Sequence, residues 1–169
     1  MGIIVFSGRV VTASVKKTAQ NSLNAYIGDI EGMLGAIETM NSFASWQIGD
    51  NIANPDYIPV ICDKMMQYGD MVSGTTEAFI RGFYPAKGEY FAVRSFRDLA
   101  TGEIRSTTLS DYALQGWYTG AIAAAKGIWS EPYEATDGSG LVTTYSAPLA
   151  TDEGKTYAVL SIDVSLEGI

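Results

Sequence analysis

From Val11 to about Trp46 the chain contains no proline, and its apolar positions Leu23, Ile27, Ile30, Leu34, Ile37, Met40 and Ala44 fall at steps of three and four. That spacing predicts a long amphipathic helix. Its mean step is close to the coiled-coil repeat of about 3.5, so the stripe fits a seam against a partner helix as well as a helix lying on its own domain. The two uses can coexist on different stretches. Gly28, Gly32 and Gly35 weaken the helix in isolation.

The polar, turn-prone run Gly49-Asp50-Asn51-Ile52-Ala53-Asn54-Pro55-Asp56 ends the pattern. Asp56 is then expected to cap a second helix over 57–68, with Pro59 in its first turn and Gly69 as its stop. Beyond it the period changes from helical to alternating. Residues 76–83 and 89–96 read as strands around the turn Tyr84-Pro85-Ala86-Lys87-Gly88, and 103–107 as a third. Ser110-Asp111 is expected to start an Ala-rich helix that runs through Lys126 and stops at Gly127. Residues 141–147 and 156–164 form a final hairpin. In its second strand Ala158, Leu160, Ile162 and Val164 share one face. Tyr157, Val159, Ser161 and Asp163 share the other, which is less apolar and suited to line a cavity. Helices gathered around an antiparallel sheet make this an α+β chain.

Composition narrows the chemistry. With 169 residues the chain is one domain's worth, and 47% hydrophobic content excludes disorder. Eleven Lys plus Arg against nineteen Asp plus Glu leave a net charge of -8, and no stretch is basic enough for nucleic acid. There is no histidine, which removes Ser-His-Asp and Cys-His nucleophile systems, HExxH zinc sites and imidazole pH switches. Cys62, the single cysteine, lies in the apolar run Ile58-Pro59-Val60-Ile61-Cys62 and reads as a small buried hydrophobe. No metal or cofactor is implied. No run approaches the 18 to 20 or so apolar residues of a membrane span. The apolar start Gly2-Ile3-Ile4-Val5-Phe6 reads as the last turn of a membrane helix, a cloning remnant or a frayed helix start.

Three segments carry candidate site chemistry: Gln115-Gly116-Trp117-Tyr118, Glu131-Pro132-Tyr133, and Ser161-Ile162-Asp163-Val164-Ser165-Leu166. In order and spacing they resemble the extracytoplasmic Cache sensor domains of bacterial and archaeal receptors, above all the ligand-binding module of double Cache proteins. That family carries Arg-x-Trp-Tyr on a helix, a Glu-Pro-Tyr turn into the sheet, and a last strand ending Gly-Ile-Asp-Ile-Ser-Leu. The resemblance implies a PAS-like fold with a five- or six-stranded antiparallel sheet and the long N-terminal helix packed alongside. Residues 1–48 would be the stalk helix and 49–169 the sensor core.

By the same resemblance Trp117, Tyr118 and Tyr133 would wall a pocket, Asp163 would accept a ligand ammonium, and Gln115 would be a further ligand-binding residue. Aromatic faces add cation–π attraction of about 0.5 to 2 kcal/mol to such a group. Where the amino-acid-sensing pattern has an arginine this chain has Gln115, and a neutral amide cannot clamp a carboxylate. Ser110, Gly120 and Ala135 also depart from that pattern. Arg94, Arg97 and Arg105 are strand arginines that read as solvated charges, with a carboxylate clamp as the other use. The expected ligand is an amine, an amino-acid-like compound or another small organic molecule.

The resemblance further implies a binding domain without catalysis, the extracytoplasmic part of a membrane-attached kinase, chemotaxis or cyclase receptor, with a homodimer contact along the first helix. Three rivals fit parts of the pattern. A pilin-like structural subunit shares the apolar start, long helix and β-rich head, but its processing signature is missing; a degenerate sensor would act only in dimerisation. A carboxylate-only enzyme would use Glu131 and Asp163, which nothing in the sequence places face to face.

Overall fold

A computed structural model describes residues 3–69 and 71–167, with side chains from Val11 onward. The side chains of Ile3–Phe6, with Gly2, Gly168 and Ile169, lie outside the described part, so the reading of the apolar start falls there. Contacts divide the chain into two units, Met1–Ala36 and Ile37–Ile169. The first is a stretch of helix α1 (Ile3–Asp50) on which Leu23, Tyr26, Ile27 and Ile30 are exposed. Among the described residues no helix is long and apolar enough to cross a membrane.

The second unit begins inside α1. From there Ile37, Ala44 and Ile48 enter the main core, and the buried Asn41 amide donates to the Leu160 carbonyl at 3.0 Å. The helix outlasts its apolar stripe and ends at Asp50, where Asn51 turns its side chain back to donate to the Gln47 carbonyl at 2.8 Å. Helix α2 (Ile58–Gln67) buries Ile58, Ile61, Cys62, Met65 and Met66, a stripe at helical spacing. Asp56 does not cap it. Proline drives Pro55–Tyr57 into a 3-10 turn, and Asp56 there binds Lys87 at 2.6 Å.

Among the described residues seven strands follow: β1 (Val72–Phe79), β2 (Ala92–Arg97), β3 (Ile104–Leu109), β4 (Ile128–Trp129), β5 (Tyr133–Glu134), β6 (Leu141–Ala150) and β7 (Thr156–Ser165). They pair antiparallel in the order β3-β2-β1-β7-β6-β4, with β5 beside β6. The expected α+β fold with a six-strand sheet path is thus present, the short β5 added to it. Strand β1 starts earlier than its alternation suggests, because pairing with β7 already holds Val72 against Val164. It stops at Phe79, and Gly82 at φ +70° turns the chain away.

Ala158, Leu160, Ile162 and Val164 all face the main core with α1 and α2, as their alternation requires. Val159 faces the opposite, smaller core with Tyr112, Tyr118 and Ala121. Helix α3 (Gly116–Ala124) covers that second face and is shorter than expected. Ser110-Asp111 does not begin it, because Tyr112 is drawn inward to donate its hydroxyl to the Phe79 carbonyl at 2.6 Å. Ala125, in the left-handed conformation at φ 52°, ends it two residues before Gly127. Gly127 serves packing instead: a Cβ there would collide with the Tyr145 hydroxyl.

Candidate functional site

Strand alternation places a polar strip on the α3 side of the sheet. Thr76 pairs across β1 with Arg94 on β2 and Ser161 on β7, Gly74 stands opposite Asp163, and β6 sets Thr144 against Asp163 and Ser146 against Ser161. These side chains form the floor of a cavity of about 510 Å³. Trp117 and Gln115 from the start of α3, Tyr112 before it, Ile128 and Ser130 around β4, and Tyr133 on β5 supply its walls.

Asp163 is held from two sides. Arg94 Nη1 donates to its Oδ2 at 2.9 Å and Thr144 Oγ1 to its Oδ1 at 2.8 Å. Because Thr144 has one hydroxyl hydrogen and gives it to Asp163, the 2.7 Å contact with Tyr133 runs as donation from the tyrosine. The result is a relay from Tyr133 through Thr144 to Asp163. Burial raises the Tyr133 phenol, and the Asp163 charge raises it further, so this ring keeps its proton.

Arg94 is the other centre of the site. Its Nη1 also donates to Thr76 Oγ1 at 3.2 Å, and its Nη2 donates to Asp137 Oδ2 at 3.0 Å. Burial works against the guanidinium charge, but Asp163 and Asp137 outweigh it and its pKa is raised. The Asp137 carboxyl is held below its ordinary value: partial burial opposes this, and hydrogen bonds from Ser139 and the Arg94 guanidinium overcome it. Asp111 is a third carboxylate at the wall. Three carboxylates against one guanidinium leave the cavity with a net charge of about -2. Ser146 Oγ, buried in the same lining, has no hydrogen-bond partner.

Of the residues singled out from sequence, Gln115, Trp117, Tyr133 and Asp163 converge on this cavity. Tyr118 does not line it. Helical geometry turns it about 100° from Trp117, into the second core, edge-on to Tyr112 at 5.1 Å between ring centres. Arg94 corrects the reading of a solvated charge, whereas Arg97 and Arg105 stay outside, on the Gly102 carbonyl and on Asp98. Asp137 holds its own turn through Ser139, and its second oxygen reaches Arg94. The overlooked signal was Gly74, a glycine inside a strand. A Cβ there would lie 3.0 Å from both Arg94 Nη2 and Asp163 Oδ2, so the missing side chain makes room for the ion pair. No cluster of metal-ligating side chains occurs among the described residues.

Residues 60–169 match the family described as methyl-accepting chemotaxis protein-like, first PDC sensor domain. No curated protein matches the chain. Among solved structures, methyl-accepting chemotaxis protein X aligns at a TM-score of 0.75 with 21% identity, over 92% of this chain and 64% of that one. The extracellular domain assigned to the histidine kinase soHK1S-Z6 aligns at 0.64 with 22% identity, over 80% and 54%. The ligand-binding domain of Campylobacter jejuni chemoreceptor Tlp3, in complex with L-valine, aligns at 0.57 with 15% identity, over 80% and 53%. The chain therefore spans between 53% and 64% of the length of these structures.

Proposed function

The chain belongs to the family of first PDC sensor domains of methyl-accepting chemotaxis protein-like receptors, and on that premise we propose that its cavity binds a small organic ligand bearing an ammonium group. Asp163 is the anchor, Trp117 and Tyr133 the aromatic walls, and Gln115 a neutral polar contact at the edge. One observation carries this reading: a closed-floored cavity whose carboxylates outnumber its cations and whose walls are aromatic. The pocket holds and releases its ligand without catalysis.

The full receptor is membrane-attached, with this domain on the extracytoplasmic side. Occupancy shifts an equilibrium between packings of the two ends of the domain. The exposed Leu23, Ile27 and Ile30 of the first unit are the contact for a second copy. Residues 1–48 serve as a stalk helix that is part of the sensor domain, contributing Ile37, Ala44 and Ile48 to its core, and 49–169 as the rest of the sensing core.

A thermal-shift screen against amino acids, biogenic and quaternary amines, carboxylates and purines tests the site, with Asp163→Ala beside the wild type. A ligand at a hundred times its dissociation constant adds about 2.7 kcal/mol, several degrees in a chain of this length. An amine that shifts the wild type and not Asp163→Ala is the expected result. A hit that ignores Asp163 removes the anchor assignment.

A further inference from the structure

We propose that Arg94 is the specificity-determining residue of the cavity: a resident cation that occupies the carboxylates in the empty site, yields Asp163 to a ligand ammonium, and excludes ligands that carry a carboxylate. The inference rests on the reading of the cavity as a ligand site and narrows its ligand to amines lacking an acid group.

Three observations support it. First, three of the five guanidinium hydrogens are already engaged inside the cavity. Both Nη1 donations go to Asp163 and Thr76, and Nη2 serves Asp137. A carboxylate clamp needs two parallel donors free for the ligand. Here the end-on fork of Nη1 and Nη2 is committed to internal carboxylates, and a ligand carboxylate would have to take the side-on donors, Nε and the second Nη2 hydrogen, beside those same acids. Secondly, Asp111, Asp137 and Asp163 all line the cavity, so a ligand carboxylate near Arg94 would meet three like charges for one opposite charge. An incoming ammonium meets the reverse balance.

Thirdly, Gly74 leaves the space in which Arg94 reaches Asp163 across the intervening strand. The arginine has a second carboxylate to retire to, Asp137, when the ligand takes its place on Oδ2. Thr144 continues to hold Oδ1 throughout. The rest of such a ligand is neutral. The unpartnered Ser146 hydroxyl and the aromatic walls offer a hydrogen bond and apolar contact, and no further cation is available among the lining residues to balance an acid.

Matched pairs that differ only by a carboxylate test the inference: isobutylamine against L-valine, and 2-phenylethylamine against L-phenylalanine. Binding to the whole chain is measured by calorimetry for wild type, Arg94→Gln and Arg94→Lys. In the wild type each amine is expected to bind about tenfold or more tighter than its amino acid. Arg94→Gln, which removes the competing cation, is expected to tighten amine binding several-fold, and Arg94→Lys, which keeps a cation in the cavity, to tighten it less than Arg94→Gln does. Amino acids that bind as well as or better than their amines, with that advantage lost in Arg94→Gln, would show a carboxylate clamp and overturn the inference while keeping the ligand site. Amine binding indifferent to Arg94 likewise overturns it alone. Failure of every amine and amino acid to bind any of the three forms overturns both the inference and the site. The wild-type preference is decisive even should Arg94→Gln fold poorly.

Discussion

Gly74 lies opposite Asp163 in the β1–β7 ladder, and the hydrogen that replaces its side chain is what lets the Asp163 carboxylate meet Arg94 above the strand. Gly74→Ala would place a methyl 3.0 Å from both charged groups, at the far ends of two adjustable side chains. The fold is expected to survive, with stability within about 1 kcal/mol of wild type. The ion pair is expected to separate. Side-chain NMR of the Arg94 guanidinium reads this directly, and an unaltered resonance would contradict the close approach.

Glu77 is fully buried in the main core with neither carboxyl oxygen hydrogen-bonded, facing Cys62 on α2, Tyr84 beyond β1 and Tyr157 on β7. Burial pushes its carboxyl well above the ordinary range, and it pushes Tyr84 and Tyr157 up to about 12, so all three stay neutral. The folded chain therefore keeps a proton that the unfolded chain releases. Stability falls as pH rises from the ordinary carboxylate pKa through the raised folded one. Glu77→Gln is expected to flatten this slope between about pH 5 and pH 8 and to raise stability at the upper end. Urea midpoints across that range decide it, and parallel curves for the two proteins would count against a buried neutral acid.

Tyr112 ties the loop before α3 to the ends of β1 and β2, donating to the Phe79 carbonyl at 2.6 Å and accepting from the Phe91 amide at 3.0 Å. Tyr112→Phe keeps the ring but strands both backbone groups in the core. A loss of about 1 to 3 kcal/mol is expected in urea unfolding. A loss below the scatter of the measurement would mean that water replaces the hydroxyl.

On β4, Ile128 and the following Ser130 face the cavity while Trp129 faces α1, where its indole N–H donates to Glu38 Oε1 at 2.9 Å. The cavity wall and the helix contact share consecutive peptide units. A double-mutant cycle of Glu38→Ala and Trp129→Phe is expected to give a coupling of about 0.5 to 1 kcal/mol. Strict additivity would remove this link between wall and helix.

Much of the fold was legible because periodicity carries it. The α2 stripe from Ile58 to Met66 and the core face of β7 from Ala158 to Val164 bury as their spacing requires, whereas Tyr157, expected on the cavity face, is drawn into the main core, where it stacks on Phe83. Boundaries were less legible where a long-range contact decides them. Tyr112 leaves its expected helix for a bond to Phe79, thirty-three residues away, and β1 begins where β7 pairs with it. In the site, Trp117, Tyr133 and Asp163 were readable from their motifs. Arg94 and Asp137 were not, because each sits in a segment whose local pattern, a strand charge and a turn acid, is complete without the other. Only the register of the sheet brings them together.

The central position of β7 has a consequence for how the domain is made. The last strand inserts between β1 and β6, and contacts such as that from Ser161 to Thr76 close a loop of 85 residues. Long loops close slowly, since their entropy must be spent before the pairing that rewards it forms. The floor of the cavity has members on β1, β2, β6 and β7, so no early-folding fragment contains it. Competence to bind thus arrives in one late step, with the same event that completes the core, and a nascent or partly unfolded chain holds no partial site.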